Sequence, residues 1–261
     1  MKITLFTSNN TRHNYFVNLL SELSDELFVV QECGTIFHGV VPNRYPASEI
    51  MKQYFKNVND AQIELFGNSY ISNSSNKISL LPILKGDLNK CTLSFLSDFL
   101  KSDLYIIFGS SYIKGDLANF LVKHKAINIH MGVSPYYRGT DCNFWALYDE
   151  NPHLVGSTIH ILTKGLDSGP ILYHAMSNIK TNPFEYTMST VKAAFHSIVD
   201  RIRDGSIFKI KDEKQNKSEE IRYSKNIEFN EEILKKYLNK KIDLQSKKFE
   251  VSLLKNPYFY N

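Results

Sequence analysis

An amide, an imidazole and a carboxylate follow one another along this chain in an order that can support chemistry. Asn128 and His130 lie on an apolar, strand-like stretch, and they share one face of it because side chains two apart in a strand point to the same side. Asp167 follows in a Gly-Leu-Asp-Ser-Gly turn. Asparagine and histidine can donate hydrogen bonds to an oxygen that gains negative charge, and aspartate can orient the histidine ring and favour its protonated form. The set is suited to a reaction at a carbonyl group.

Each of these residues also has a structural interpretation when it is taken alone. A single histidine on a strand is most often structural, and an aspartate in a glycine-rich turn is an ordinary turn residue. The information lies in the order, which is Asn-x-His, then a loop through Pro135 to Arg138-Gly139, then the turn that carries Asp167. For that reason we interpret the three residues as catalytic.

This ordered pattern resembles the formyltransferases that use 10-formyltetrahydrofolate. Their motif is Asn-x-His, a short Ser-Leu-Leu-Pro-like loop ending in Arg-Gly, and an aspartate in a Leu-Asp-x-Gly turn, and the match covers roughly residues 100–176. The resemblance implies that Asn128, His130 and Asp167 carry out formyl transfer without a covalent enzyme intermediate. The loop departs from the family at residues 131–134, which read Met-Gly-Val-Ser, and this weakens any transfer of acceptor specificity from the family.

The resemblance also implies where a folate donor and an acceptor bind. The donor, 10-formyltetrahydrofolate, is expected at two turns beside the motif, which contain Phe108, Gly109, Ser110, Tyr112, Ile113, Lys164, Gly165 and Leu166. The acceptor is expected after the first strand and along the loop of the motif, at Arg12, His13, Tyr136, Tyr137, Arg138 and Gly139. The alternatives are an ordinary strand-to-helix turn at 108–113, surface residues at the helix start for 12 and 13, and a bracing role for Arg138. No metal is expected, because the histidines lack ligand spacing.

The pattern of apolar residues predicts the elements that position these side chains. Strands and helices alternate through residue 205, which indicates an α/β fold with a doubly wound, mostly parallel, Rossmann-like sheet, whose ligands lie beyond the carboxyl ends of the strands. The predicted strands are Ile3–Thr7, Leu27–Gln31, Ile78–Ile83, Leu104–Phe108, Ala126–His130, Leu154–Leu162 and Ile171–His174. The predicted helices are Arg12–Leu23, Ala47–Phe66, Leu93–Leu100, Leu117–Val122, Pro183–Ile202 and Phe229–Leu238.

Composition indicates an ordinary globular protein. Its 261 residues, of which 43% are hydrophobic, suffice for a catalytic domain over 1–205 and a C-terminal extension over 206–261 that packs on the core or on a dimer partner. The net charge of +4 is mild, and the lysines concentrate after Lys209, so nucleic acid is not an expected partner. Three widely spaced cysteines and the lack of a long apolar stretch favour a cytoplasmic protein that contacts no membrane. A homodimer is a plausible assembly.

Within the family, the sequence favours an acceptor that is a nucleotide-linked amino sugar. The loop over 134–139, the Arg12-His13 pair and the short tail resemble the sugar N-formyltransferases of bacterial surface glycan synthesis. Methionyl-tRNA formyltransferases have a C-terminal barrel for which the tail is too short, and glycinamide ribonucleotide formyltransferases have a glycine-rich loop where residues 7–11 contain no glycine. Formyltetrahydrofolate hydrolases usually begin with a further domain. A non-catalytic nucleotide-binding module is the alternative from another class, although the chain lacks a G-x-G-x-x-G motif after its first strand.

Overall fold

A large twisted sheet organises the molecule. The computed structural model describes residues 1–42, 44–72 and 77–260, and in these residues eight strands form one sheet in the order β10-β8-β7-β5-β4-β1-β2-β3. The strands of this sheet are β1 Lys2–Ser8, β2 Glu26–Cys33, β3 Ile78–Leu84, β4 Leu104–Ile107, β5 Ile127–His130, β7 Ser157–Ile161, β8 Ile171–Ser177 and β10 Tyr258–Tyr260. A small second sheet pairs β6 Tyr137–Gly139 with β9 Arg222–Ser224.

The sheet is parallel except around one strand. Strand β7 runs antiparallel to both of its neighbours, β5 and β8, and the other paired strands of the large sheet are parallel. All four residues of β4 are buried, as is expected for a central parallel strand covered on both faces. The predicted α/β fold with a mostly parallel sheet is therefore confirmed.

Helices cover both faces of the sheet. They are α1 Thr11–Leu23, α2 Glu49–Phe66, α3 Gly115–Lys123, α4 Cys142–Tyr148, α5 Pro183–Arg203 and α6 Glu231–Asn239. Helix α5 begins where the Asn182 side chain accepts hydrogen bonds from two backbone amides of the first turn, with Pro183 at the first helical position. It is buried along most of its length, and its Phe195 stacks on Phe16 of α1 with ring centroids 4.3 Å apart.

One predicted helix is wrong. Residues 93–100 form successive turns that end in a short 3₁₀ helix at Ser97–Leu100. The Thr92 hydroxyl accepts a hydrogen bond from the Phe95 amide at 3.1 Å, which favours a turn, and the segment is too short for a helix to be stable on its own propensity. The predicted strand Leu154–Leu162 also starts later than expected, because Pro152–Leu154 forms another 3₁₀ turn.

The residues after Gly205 pack against the rest of the chain. Strand β10 adds to the edge of the large sheet beside β8, and β9 pairs with β6 in the motif loop. Leu234 and Tyr237 of α6 join an aromatic cluster that contains Phe144 and Trp145, in which the rings of Phe144 and Tyr237 lie 4.5 Å apart. Among the described helices, none is long and apolar enough to cross a membrane.

Candidate active site

The antiparallel pairing of β5 with β7 brings the predicted catalytic residues together. Asn128 on β5 is directly opposite His160 on β7, so their side chains lie on the same face, and His130 follows two residues later on that face. Asp167 enters from the turn after β7, where its backbone adopts the left-handed conformation with φ 44°. The side chain of Asn128 is half-buried, and that of His130 is buried.

The three residues, called the triad from here on, are in mutual contact. The Asp167 carboxylate lies with Oδ2 3.3 Å from His130 Nδ1 and with Oδ1 3.4 Å from Asn128 Nδ2. His160 completes the group, because its Nε2 lies 2.9 Å from Asn128 Nδ2 and its Nδ1 lies 2.9 Å from the Ile161 carbonyl oxygen. The carbonyl can only accept, so the His160 proton belongs on Nδ1 and Nε2 accepts from Asn128. His160 thus fixes the orientation of the Asn128 amide.

The ring of His130 lies between two acceptors. Its Nε2 is 3.2 Å from the Tyr137 carbonyl oxygen, and its Nδ1 faces Asp167. Burial lowers the pKa of His130, and the charge of Asp167 opposes that effect. The two acceptors are both satisfied only by the protonated ring, whereas burial favours the neutral ring. This balance equips His130 to take up a proton and return it.

Asp167 is held as a carboxylate. Burial acts to raise its pKa, but the charges of His130 and Arg138 oppose burial, and the pKa lies below its ordinary value. Its turn is fastened by Gln215, whose Nε2 donates to the carbonyl oxygens of Asp167 at 2.9 Å and of Gly169 at 2.8 Å. Gln215 carries no sequence motif, and its role is apparent only from the fold.

The loop after His130 is braced from behind by another buried histidine. His174 Nδ1 accepts a hydrogen bond from the Lys255 amide at 2.8 Å, so its proton is on Nε2, which donates to the Ser134 carbonyl oxygen at 2.8 Å. Burial lowers the pKa of His174 to about 4. The neutral ring therefore ties the C-terminal segment to the motif loop, a contact that the sequence did not reveal.

Gly132 is required by the tight packing of this loop. A Cβ added there would lie 2.5 Å from Cys142 Cβ and 2.7 Å from His130 Nε2. Any side chain at this position would therefore displace the His130 ring or Cys142.

Two cavities meet beside the triad. The triad cavity has a volume of about 560 Å³ and is lined by the triad, His160, the turn 107–113 and residues 162–166 other than Lys164. The adjoining cavity, of about 640 Å³, lies between the loop after β1, the segment 33–45 and helices α2, α4 and α5. His13, Gly109 and Met131 line both cavities. The volumes are in the range of sites for small ligands.

Most of the residues expected to hold the donor line the triad cavity. Phe108, Gly109, Ser110, Tyr112 and Ile113 are all in its wall, together with Gly165 and Leu166. Lys164 is outside the wall and contributes its carbonyl oxygen to the Tyr112 hydroxyl. Gly109 has φ +70° and a Cβ there would lie 2.5 Å from His13 Nε2, so a larger residue would be strained and would clash.

The residues expected to hold the acceptor divide into two groups. Arg12 and His13 line both cavities, and His13 is buried with its ring 4.9 Å from that of Phe108, so the alternative of an exposed helix-start residue is wrong for His13. Gly139 lines the triad cavity.

Tyr136, Tyr137 and Arg138 line neither cavity. Arg138 is buried, with Nη1 2.8 Å from Glu220 Oε2 and Nη2 3.1 Å from the Leu166 carbonyl oxygen. These contacts match the alternative of a loop brace.

Several residues lining the cavities were not found from the sequence. Lys85 and Arg44 line both cavities, and Arg44 forms an ion pair with Asp141 at 3.1 Å. These residues come from loops separated by many positions, and only the folded chain brings them together.

The comparison with protein families identifies the catalytic part of the chain. The family model described as Formyl transferase matches residues 100–202, which contain the whole triad. Residues 100–202 are a formyl transferase domain. Over this segment the family predicted from the motif is confirmed, and the segment is that of a transferase. Arg12, His13 and the first three strands lie outside the matched segment.

Solved structures share the fold of this chain. A 4-N formyltransferase from Francisella tularensis is 22% identical, with 86% of this chain and 76% of that chain covered and a TM-score of 0.52. A sugar N-formyltransferase from a Shewanella species is 17% identical, with 88% and 78% covered and a TM-score of 0.53. An N-formyltransferase from Helicobacter canadensis, in complex with folinic acid and dTDP-3-aminofucose, is 14% identical, with 97% and 79% covered and a TM-score of 0.54. At these identities the likeness concerns the fold. Comparison with curated proteins gives no match.

Within the part of the chain that the structure describes, no three His, Cys, Asp or Glu side chains converge to hold a metal ion.

Proposed function

We propose that this formyl transferase moves a formyl group from 10-formyltetrahydrofolate to the amino group of a nucleotide-linked amino sugar. The observation that carries the proposal is the pair of cavities that meet beside the triad at His13, Gly109 and Met131. One cavity contains the groups for carbonyl chemistry, and the cations Arg12, Arg44 and Lys85 lie where the two cavities adjoin, since they line both. Two substrates can therefore approach one another from separate sites.

The triad cavity suits the folate donor. Its walls combine apolar side chains, such as Ile107 and Leu162, with backbone groups of the turn 109–113, a mixture that favours a flat, polar-edged ring system. When bound, 10-formyltetrahydrofolate supplies the formyl group on a nitrogen leaving group. The Helicobacter canadensis enzyme of similar fold is in complex with folinic acid, which supports the same class of donor here.

The adjoining cavity suits an anionic acceptor. Arg12 donates to Gln62 Oε1 at 2.6 Å, and neither Arg12 nor Lys85 forms an ion pair with a carboxylate among the described residues. Burial lowers the pKa of Arg12 to about 10, still well above neutral pH, so the guanidinium keeps its charge. A cation without a protein counter-charge in a cleft favours an anionic ligand, and a diphosphate meets that requirement. The aromatic rings in the same cavity, Phe55 and Phe229 among them, offer a face for a nucleobase.

The triad supplies the chemistry. As the amine attacks the formyl carbon, negative charge develops on the formyl oxygen. One hydrogen of the Asn128 amide is held by His160 at 2.9 Å, and the longer 3.4 Å contact to Asp167 is the one that the substrate oxygen can replace. His130 takes the proton that the amine loses and returns it to the folate nitrogen as the carbon–nitrogen bond to folate breaks. Asp167 stabilises the protonated ring during this interval.

The test is a screen of dTDP-, UDP-, GDP- and CMP-linked amino sugars with 10-formyltetrahydrofolate. The reaction is monitored by the release of tetrahydrofolate, and the product is identified by its mass. We expect formylation of at least one amino sugar, of the kind used in bacterial surface glycans. Methionyl-tRNA and water are tested as acceptors in parallel. Efficient formylation of methionyl-tRNA with no transfer to any sugar would overturn the acceptor class and leave the triad chemistry standing. Release of formate without an acceptor would indicate a hydrolase.

A further inference from the structure

A buried carboxylate that belongs to neither cavity lies behind the wall of the triad cavity. Glu32, near the end of β2, is 1% exposed and is absent from the lining of both cavities. Its carboxylate makes no ion pair among the described residues. A buried carboxylate is costly unless hydrogen bonds compensate for the lost water, so its partners indicate what it does.

The two oxygens of Glu32 hold two different loops. Oε1 accepts from the Gly86 amide at 2.8 Å, and Oε2 accepts from the Ser111 amide at 2.5 Å. Gly86 belongs to the turn after β3, and Ser111 belongs to the turn 109–113 in the wall of the triad cavity. The carboxylate therefore joins two segments that are far apart in sequence through short, charge-assisted hydrogen bonds.

The same two segments are joined again at the surface. Asn89 donates to the Tyr112 carbonyl oxygen at 2.9 Å and accepts from the Lys114 amide at 2.7 Å. Asn89 is exposed, whereas Glu32 is buried, so water can replace the Asn89 contacts but not those of Glu32. Lys85 is fixed separately, because its amide donates to the Cys33 carbonyl oxygen at 3.0 Å. Loss of the Glu32 contacts would therefore increase the mobility of the turn 109–113 more than it would increase the mobility of Lys85, whose backbone keeps its own hydrogen bond.

We propose that Glu32 is a positioning residue that holds the turn 109–113 in the conformation that binds the folate donor. The inference rests on the proposed function, in which this turn forms the donor wall. Replacement by glutamine keeps the size of the side chain but turns an NH₂ group toward one of the two backbone N–H groups. One of the two hydrogen bonds is then replaced by a repulsion between two N–H donors. The turn 109–113 is held less firmly as a result.

The experiment measures donor affinity and local mobility in Glu32→Gln, with Glu26→Gln as the matched control. Glu26 is on the same strand, but its side chain is exposed and pairs with Lys2 at 2.7 Å. Binding of folinic acid by isothermal titration calorimetry is expected to weaken ~10-fold in Glu32→Gln and to stay within ~2-fold of wild type in Glu26→Gln. Hydrogen–deuterium exchange is expected to rise over 109–113 and to stay unchanged over 127–130, which a general loss of stability would not produce.

Other outcomes separate the two proposals. A wild-type protein that does not bind folinic acid would contradict the proposed donor, whatever the variant does. Wild-type affinity in a folded Glu32→Gln protein, or unchanged exchange over 109–113, would overturn the role of Glu32. If Glu32→Gln does not fold, Glu32→Asp keeps the charge but shortens the side chain by one carbon, so it cannot reach the Gly86 and Ser111 amides together, and we expect ~3-fold weaker folinic acid binding. Unchanged affinity in that variant would also overturn the proposal.

Discussion

The triad and the adjoining cavity are built in opposite ways. The triad comes from one continuous part of the chain, residues 100–202, and its members are placed by two neighbouring strands and one turn. The adjoining cavity draws on segments from the loop after β1 through to Phe229, and most of these lie outside the family match. The triad is thus placed by local structure, whereas the adjoining cavity, which we propose binds the acceptor, depends on how distant loops assemble. Relatives can therefore share the chemistry and differ in the acceptor.

The largest effect is expected at the triad. Asn128→Ala, His130→Ala and Asp167→Ala should each reduce formyl transfer at least ~100-fold, because each removes a group that stabilises charge or moves a proton in the transition state. Steady-state kinetics provide the measurement, with circular dichroism to verify folding. His124→Ala, on an exposed histidine away from both cavities, is the control and should retain activity. Near-normal turnover by His130→Ala would exclude the proposed mechanism.

A second prediction concerns the brace behind the triad loop. The pKa of His174 in the folded protein is about 4, lower than the ordinary 6.5, so the unfolded chain binds more protons between these values. Stability from the neutral ring is complete above pH 6.5 and is lost as pH falls toward 4. Between pH 7 and pH 5, this histidine alone should lower the free energy of unfolding by about 2 kcal/mol.

Chemical denaturation at the two pH values measures this loss. His174→Gln serves as the control, since it retains a donor and an acceptor but does not titrate, and other histidines titrate equally in both proteins. The variant should therefore lose less stability than wild type between pH 7 and pH 5. Equal losses in the two proteins would show that His174 is not the responsible group.

The adjoining cavity should respond differently from the triad. Arg12→Ala is expected to raise the KM for the acceptor ~10-fold and to leave kcat within ~3-fold, because the guanidinium binds substrate and takes no part in the reaction. Arg12→Lys keeps the charge but lacks the planar fork, so it should restore part of the affinity. Lys52→Ala, an exposed lysine on α2, is the control. A fall in kcat with unchanged acceptor KM would indicate that Arg12 acts in the reaction, as the triad does. It would contradict the proposed role of Arg12 in binding the acceptor.

The smallest expected effect is that of chelation. Exhaustive treatment with a chelator should leave activity unchanged, because the triad already provides hydrogen bonds and charge for the developing oxyanion. Rates before and after treatment are compared at saturating donor. Loss of activity that a single divalent ion restores would show that the expectation of a metal-free site is wrong.

The same contrast explains what the sequence could predict. The proximity of Asn128, His130 and Asp167 was predictable, because a strand has a fixed period and the motif supplies their order, whereas their catalytic role stays a prediction. The contact of His160 with Asn128 was not predicted, because it depends on the antiparallel pairing of β5 with β7. The strands and longer helices were predictable from the spacing of apolar residues, whereas the segment 93–100 was not, because local hydrogen bonds to Thr92 compete with a helix.

Contacts between segments that are far apart in the chain could not be predicted from the sequence. Glu32, Lys85 and Gln215 have no motif, and each acquires its role from a neighbour many residues away. A charged residue on an amphipathic pattern is ordinarily assigned to the surface, which is why the sequence does not reveal the burial of Glu32. Arg138 was predicted to contact the acceptor, and its ion pair with Glu220 could not be anticipated before the C-terminal segment was placed beside it.

The contacts of Gln215, Glu220 and Lys255 also bear on the order in which the site forms during synthesis of the chain. All three residues are synthesised after the segment that holds the triad, yet they fasten the turn of Asp167, the motif loop at Arg138 and the brace at His174. Because domains fold as the chain emerges from the ribosome, a nascent protein has the complete motif before it has the means to hold that motif in shape. The contacts that hold these loops are therefore completed late in synthesis.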